Sequence, residues 1–342
     1  MPVQITIKPS GHSFACHEGD TVLTAAIAAD LMLPYGCRNG ACGSCKGRIL
    51  SGHVDYGAHQ ASTLTPEEKR QGLALFCCAV PKSDLVIEVK EVRRAGDIRI
   101  KRMPCRIESI DKPAPDVAIV RLKLPANERT QYLPGQYIDF LLKDGHRRSF
   151  SLATAPHDDA LLELHIRHVP GGLFTDQLFT AYKGREILRM EGPFGGFYLR
   201  EESDKPMLFV AGGTGFAPIK AMIEHALHFD RGRPMVLYWG VRGQRDLYLP
   251  DLPGKWQAQS RNFTFIPVLS APDDSGWPGR TGLVHKAVLD DFDDLSGYQV
   301  YVCGGPAMVD AARTAFTVQR ALPPEEFFAD SFTYAAPSEA LK

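Results

Sequence analysis

The chain has 342 residues, enough for two or three domains of ordinary size. Its 39 basic and 40 acidic side chains leave a net charge of −1, which gives no electrostatic footprint for nucleic acid or an anionic membrane surface. The longest apolar stretch, residues 21–33, is too short to span a bilayer and carries Asp30. The N-terminus lacks the basic and apolar regions of a signal peptide, and 8 cysteines in a chain this long fit a reducing interior, so a cytoplasmic location is expected.

Residues 1–90 read as a first unit. Val3, Ile5 and Ile7 alternate with polar residues as in a half-buried strand, and residues 13–17 return as a second strand after the Gly11-His12 turn. Val22, Ala25, Ala26 and Ala29 then share one helical face. A glycine-rich loop follows, with Cys37, Cys42 and Cys45 at C-x4-C-x2-C spacing, and Cys77 lies 32 residues further on. Three thiolates in a tight loop plus one distant thiolate is the ligand pattern of a plant-type [2Fe–2S] centre, whereas a four-cysteine zinc site usually presents two C-x2-C pairs and this stretch has one. Thr65-Pro66-Glu67-Glu68 reads as a capped helix start, and residues 85–89 as a closing strand.

These cysteines, in this order of strand, helix and loop, resemble the plant-type ferredoxin domain, a β-grasp fold. The segment carries eight basic and eight acidic residues, so recognition of its electron acceptor is expected to rest on shape as much as on charge. Cys78 adjoins Cys77. Neighbouring strand residues point to opposite sides, so only one should face the cluster, and the run Pro81 to Leu85 keeps the spacing of ferredoxin domains fused to reductases, which favours Cys77. Cys16 and Cys105 are expected to be buried small hydrophobes.

Residues 91–102 are charged and weakly periodic and read as a linker. From 103 to 200 short strands broken by proline and glycine predict an antiparallel barrel. Within it, Arg148-Ser149-Phe150-Ser151 resembles the Arg-x-Tyr/Phe-Ser motif of the ferredoxin–NAD(P)H reductase superfamily: a guanidinium for a diphosphate, an aromatic along the isoalloxazine, a hydroxyl for the reactive flavin nitrogen. His165, Arg167, Gly171, Gly172, Leu173 and Thr175 follow as the phosphate-binding loop and helix start that the resemblance implies for FAD. Thr175 stands where the superfamily usually has serine.

Residues 201–335 change period. Met207 to Ala211 is continuously apolar, as in a parallel strand buried on both faces, and runs into Gly212-Gly213-Thr214-Gly215-Phe216-Ala217-Pro218 before a helical pattern. Strand, glycine turn and helix make a dinucleotide crevice without the G-x-G-x-x-G fingerprint. The turn, together with Cys303, Gly304, Pro306 and Met308, resembles the pyridine-nucleotide lobe of the same superfamily. Residues 336–342 are a tail.

The expected architecture is therefore multidomain: a β-grasp ferredoxin domain (α+β), an antiparallel flavin-binding β-barrel (all-β) and a parallel-sheet nucleotide lobe (α/β). Arg148 to Leu152, Leu173 to Thr175, Phe216 to Lys220 and Phe328 to Phe332 are similar to the CDP-6-deoxy-Δ3,4-glucoseen reductases of deoxysugar synthesis. The resemblance implies an oxidoreductase carrying NADH (or NADPH) electrons through FAD to the [2Fe–2S] cluster and on to a partner protein, a dehydratase or an oxygenase component. It implies direct roles for Ser151, Cys303 and Phe332, the last as a cover for the flavin ring. Arg242 lies where a nucleotide 2′-group would be recognised, beside Arg245 and Asp246.

Overall fold

A computed structural model describes residues 2–332 apart from 30, 32, 42, 62, 90–97, 127, 129, 159, 230–231 and 273–275. Cys42, most of the expected linker and the tail 336–342 thus lie outside the described residues. Among those described, no helix is long and apolar enough to cross a membrane. The described residues up to Ile98, with Gly195–Phe197 and 330–332, form one compact unit; 99–194 and 198–329 form the other.

In the first unit a five-stranded sheet runs in the order Ser13–Cys16, Val3–Lys8, Leu85–Glu88, Lys46–Ser51, Leu73–Leu75. The first and last strands of the domain pair in parallel, Ile5 opposite Leu85, while their outer neighbours are antiparallel. Thr21 caps the helix Val22–Ala28, which buries Val22, Leu23, Ala25 and Ala26 and leaves Ala29 as its exposed C-cap. A capping box of Thr65 and Glu68 starts the helix Pro66–Arg70, as its sequence predicts. Gly195 and Gly196, expected with the barrel, group here: their N–H groups donate to the hydroxyl and carbonyl oxygens of Tyr35 at 2.9 and 3.1 Å.

The second unit holds the flavin and nucleotide sections together. Six antiparallel strands run in the order Arg147–Ser151, Tyr137–Leu141, Ile187–Phe194, Lys101–Ala114, Val117–Lys123, Leu162–Arg167. An antiparallel bridge from Leu152 to Leu164 joins the two ends of that order, so the sheet closes on itself. A barrel without free edges follows, filled by Ile107, Val120, Ile138, Phe140, Leu164 and Phe174 among others. Lys101 and Arg102, expected in the linker, already belong to the first barrel strand, where Arg102 pairs with Glu191 of the neighbouring strand.

The second sheet of this unit runs Arg280–Thr281, Phe263–Leu269, Met235–Val241, Met207–Gly212, Gln299–Gly304, Phe327–Ser331. Its first four neighbour pairs are parallel. Strand order reverses between Met207–Gly212 and Gln299–Gly304, which makes the crevice beyond their carboxyl ends the topological switch point. Both glycine motifs of the sequence end there.

Candidate functional site

The ligand loop lies between the helix Val22–Ala28 and the strand Lys46–Ser51. Gly40 and Gly43 adopt φ of +76° and +75°, which curls the loop back on itself. Gly40 is also required by crowding, since a Cβ there would lie 2.7 Å from His59 Cβ and 2.8 Å from Cys78 Sγ. Gly47 sits in the strand that follows, where a Cβ would fall 2.3 Å from the Phe76 ring. The Ala41 N–H points at Cys37 Sγ at 3.4 Å. Cys45 and Cys77 are buried. Contact with the Cys45 and Cys78 sulfurs, reinforced by the Gly40 N–H, holds the Cys77 thiol well below the ordinary thiol range despite burial. A set of soft donors gathered in a glycine cradle and favouring thiolate fits an iron–sulfur cluster.

One expectation fails on local geometry. Cys77 and Cys78 do not lie in a strand: residues 76–78 form a turn closed by Cys78 N–H to Leu75 O at 2.9 Å. The alternation argument therefore does not apply, and the two sulfurs stand 3.5 Å apart. Cys16 and Cys105 are buried as expected; burial pushes the Cys105 thiol up to about 12, which makes it chemically inert.

In the barrel, alternate residues of Arg147–Ser151 separate two tasks. Arg147 pairs with Asp139 (3.4 Å) and with Glu191, and the Ser149 hydroxyl donates to Asp139 at 2.7 Å. Arg148 faces the other way; its one described hydrogen bond goes to the carbonyl of Arg147, and among the described residues it has no ion pair. An uncommitted guanidinium of that kind fits a diphosphate. Half-buried Phe150 is braced by Phe140 and Phe174 at ring-centroid distances of 5.7 and 5.3 Å, and Ser151 is buried at the strand end.

The loop after Leu162–Arg167 is closed by Thr175, whose hydroxyl donates to Val169 O and accepts from Val169 N–H. A Cβ on Gly172 would collide with that hydroxyl at 2.5 Å, and the Gly171 N–H is held by Asp176. Thr175 thus shapes the loop here, while Leu173 is half exposed at its tip.

At the switch point the turn Gly212–Gly215 and the strand end Cys303–Gly304 meet. A Cβ on Gly215 would lie 2.1 Å from Cys303 O, and Cβ atoms on Gly212 and Gly304 would press on Met308 at 2.6 and 2.7 Å. Thr214 is buried, Pro218 lies in the first turn of the helix Phe216–Phe229, and Pro306 opens the helix Pro306–Gln319. The Trp239 indole N–H fixes Gly213 O at 3.0 Å. Cys303 itself is fully buried. Backbone packed this closely is what a glycine turn at a dinucleotide crevice requires.

The two sections of the unit are joined by a network of polar side chains, of which only His165 and Arg167 were expected to bind cofactor. Arg167 reaches Gly213, where a Cβ would stand 3.3 Å from its guanidinium, and its Nε is buried without a hydrogen bond, 3.3 Å from Asp116. His165 is fully buried as a side chain, with Nδ1 2.8 Å from the Tyr248 hydroxyl and Nε2 3.0 Å from Glu163. Glu163 also meets Arg121 (3.0 Å) and Lys220 (3.3 Å), and Lys220 donates to Glu224 and to the carbonyl of Ala153. Burial would raise the Glu163 carboxyl, but the hydrogen bond from His165 and the Lys220 and Arg121 charges hold it at about 2. Burial lowers His165 and sends Tyr248 well above its ordinary range. The consistent protonation is a neutral imidazole that accepts from Tyr248 and donates to an ionised Glu163. His165, expected to bind cofactor, holds Tyr248 and Glu163 through its two ring nitrogens. Lys220, a lysine on an otherwise apolar helix face, was the one sequence signal of this network.

Arg242 and Arg245 are exposed after the strand Met235–Val241, and Asp246 caps that turn by accepting from Gly243 N–H at 2.9 Å. Phe332 is half-buried at the end of the last strand.

Residues 5–82 match the family described as 2Fe-2S iron-sulfur cluster binding domain, 104–198 the oxidoreductase FAD-binding domain and 209–314 the oxidoreductase NAD-binding domain. The chain is 40% identical over 332 residues to the CDP-6-deoxy-L-threo-D-glycero-4-hexulose-3-dehydrase reductase of Yersinia pseudotuberculosis, covering 97% of this chain and 99% of that one. It is 35% identical to reductase component 2 of a Comamonas terephthalate 1,2-dioxygenase, over 97% and 98% of the two chains. Among solved structures, the Amycolatopsis cytochrome P450 reductase GcoB superposes with a TM-score of 0.82 at 33% identity, covering 98% of this chain and 100% of that one. The chain is an NAD(P)H-dependent oxidoreductase with FAD and a [2Fe–2S] cluster, and it belongs to the ferredoxin–NAD(P)H reductase superfamily, among the reductases with an N-terminal ferredoxin domain.

Proposed function

We propose that the chain is the NADH-oxidising reductase of a CDP-deoxyhexose 3-dehydrase, delivering electrons one at a time to that partner. The observation that carries the reading is the meeting of the Gly212–Gly215 turn with Cys303–Gly304 in the same unit as the uncommitted Arg148. The choice of acceptor is supported by the higher identity to the dehydrase reductase, 40% against 35% for the dioxygenase component. When bound, FAD takes up two electrons as hydride and the [2Fe–2S] centre carries them singly, which is the chemistry the protein has to arrange.

Arg148 holds the flavin diphosphate, Phe150 lies along the ring system, and Ser151 presents its hydroxyl to the flavin nitrogen that accepts hydride. Gly171, Gly172 and Thr175 shape the backbone cradle for the phosphate end, with Leu173 covering it and Arg167 adding charge. Gly212 to Gly215 and Pro218 receive the pyridine dinucleotide, and Cys303, Gly304, Pro306 and Met308 bound its nicotinamide pocket. Phe332 shields the flavin ring until nicotinamide replaces it. Cys37, Cys42, Cys45 and Cys77 hold the cluster. NADH is favoured because the Asp246 carboxylate, fixed on the turn after the second strand of the lobe, opposes a 2′-phosphate that Arg242 would otherwise attract.

Anaerobic titration of the holoprotein with NADH, and separately with NADPH, tests the relay. Bleaching of both flavin and iron–sulfur absorption at low NADH is expected. A flavin that bleaches while the cluster bands stay unchanged would break the proposal at the exit step. The partner is tested by turnover with a purified CDP-deoxyhexose 3-dehydrase against a ring-hydroxylating oxygenase component; faster reduction of the oxygenase would assign the chain to that class.

A further inference from the structure

Of the two thiols that the ferredoxin domain carries beyond its four expected ligands, Cys16 is buried and Cys78 adjoins the fourth ligand. Residues 76–78 form a turn rather than a strand, so consecutive side chains do not alternate, and Cys78 Sγ lies 3.5 Å from Cys77 Sγ. Two glycines with positive φ make its place. Gly40 of the ligand loop leaves room for the thiol, since a Cβ there would stand 2.8 Å from Cys78 Sγ. Gly57 leaves room for the backbone, since a Cβ there would stand 2.5 Å from Cys78 O. The 57–63 segment is in turn tied to the ligand loop through Gln60 N–H to Gly40 O (3.3 Å) and the Thr63 hydroxyl to Ala41 O (3.1 Å). Cys78 is therefore held between the loop that carries three ligands and the turn that carries the fourth. It is only partly buried, unlike Cys45 and Cys77.

A change of χ1 between staggered wells moves a cysteine sulfur by roughly 3 Å, comparable to the gap between the two thiols. Rotation about χ1 is thus of the right size to carry the Cys78 sulfur toward the place of the Cys77 sulfur without displacement of the backbone. We infer that Cys78 is a reserve ligand of the [2Fe–2S] centre, able to take the iron that Cys77 holds when Cys77 is lost or blocked. The step is a substitution at iron: the Cys78 thiol gives up its proton to solvent and forms the Fe–S bond at the position that a lost or blocked Cys77 no longer fills, displacing the water or hydroxide that stands there. No electron is transferred. The inference rests on Cys77 being the ordinary fourth ligand.

The test compares full-length C77A, C78A and C77A/C78A, purified anaerobically, by iron and acid-labile sulfide per chain, visible circular dichroism and the electron paramagnetic resonance of the reduced protein. FAD content reports folding of the second unit independently. C78A is expected to match the parent. C77A is expected to keep a cluster with altered spectra, holding at least about tenfold more iron than the double variant. Equal iron in C77A and C77A/C78A, high or low, overturns the reserve role while leaving C78A to report on the ordinary ligand. Loss of the cluster in C78A with parent-like spectra in C77A would instead show that the ligand assignment itself is reversed. Should C77A fail to accumulate, C77S against C77S/C78A decides: different spectra show Cys78 engaged in place of the serine, and identical spectra overturn the inference.

Discussion

Lys220 Nζ, on the helix that follows the glycine turn, lies 3.3 Å from a Glu163 carboxylate oxygen on a barrel strand. The same ammonium donates to the carbonyl of Ala153, two residues beyond Ser151, at 3.1 Å. One side chain thus ties the helix Phe216–Phe229 to the barrel at Glu163 and just beyond Ser151. Removing it should disturb alignment more than binding. Lys220→Met is expected to slow flavin reduction at saturating NADH by about tenfold while the apparent Kd for NADH changes little, because small misplacements of reacting atoms are costly in rate. Stopped-flow traces across NADH concentration separate the two; a change confined to Kd would show that Lys220 serves binding alone.

Glu163 gives the same network a pH signature. Its folded carboxyl sits at about 2, below the ordinary value of about 4.3 for the unfolded chain, so ionisation favours folding. The contribution is fully present above the unfolded value and is lost as pH falls from there through about 2. The shift corresponds to about 3 kcal/mol, an order-of-magnitude figure for a carboxylate this well buried. Glu163→Gln should therefore lower urea resistance by a constant amount from pH 8 to about pH 5, with the difference shrinking below about pH 4.3. A difference that already fades near neutrality would place the decisive titration elsewhere in the network.

The three-cysteine spacing and both glycine motifs stand out because each is compact in sequence. Cys37, Cys42 and Cys45 fall in one loop, and Gly212 to Pro218 in one turn. The Glu163 network was not legible, because Tyr248 meets His165 across 83 positions of chain and Lys220 meets Ala153 across 67. The antiparallel barrel was legible in its short strands broken by proline and glycine, although the bridge between Leu152 and Leu164 that closes it is announced by no local pattern. The Cys77–Cys78 argument failed for a different reason. Side-chain alternation belongs to strands, and a run of three turn residues cancels it.

Adjacent arginines in the barrel should behave differently. Arg148 is committed only to a neighbouring carbonyl, so Arg148→Ala is expected to weaken FAD binding by about 10- to 100-fold, the range for losing charged hydrogen bonds, with the apoprotein about as stable as before. Arg147 answers the fully buried Asp139 as well as Glu191. Arg147→Ala removes the guanidinium that answers that carboxylate and should cost about 2 kcal/mol of stability, the range for a hydrogen bond to a charged group. Flavin affinity and apoprotein melting, measured on both variants, give opposite patterns if the strand divides its work this way; equal loss of FAD affinity would deny it.

The glycine turn makes the sharpest steric forecast. A methyl group on Gly215 would meet the carbonyl oxygen of Cys303 at 2.1 Å, which is backbone and cannot swing aside. One on Gly212 would meet Met308 Sδ at 2.6 Å, the flexible end of a side chain that can repack. Gly215→Ala should therefore prise the turn from the strand Gln299–Gly304 and abolish reduction by NADH at accessible concentrations, with FAD still bound and still reducible by dithionite. Gly212→Ala should raise the apparent Kd for NADH by only about tenfold, the equivalent of roughly 1.4 kcal/mol. If Gly215→Ala reduced its flavin with NADH as readily as Gly212→Ala, the close approach of these two backbones would not be what forms the nucleotide pocket, and its binding surface would have to be sought outside the switch point.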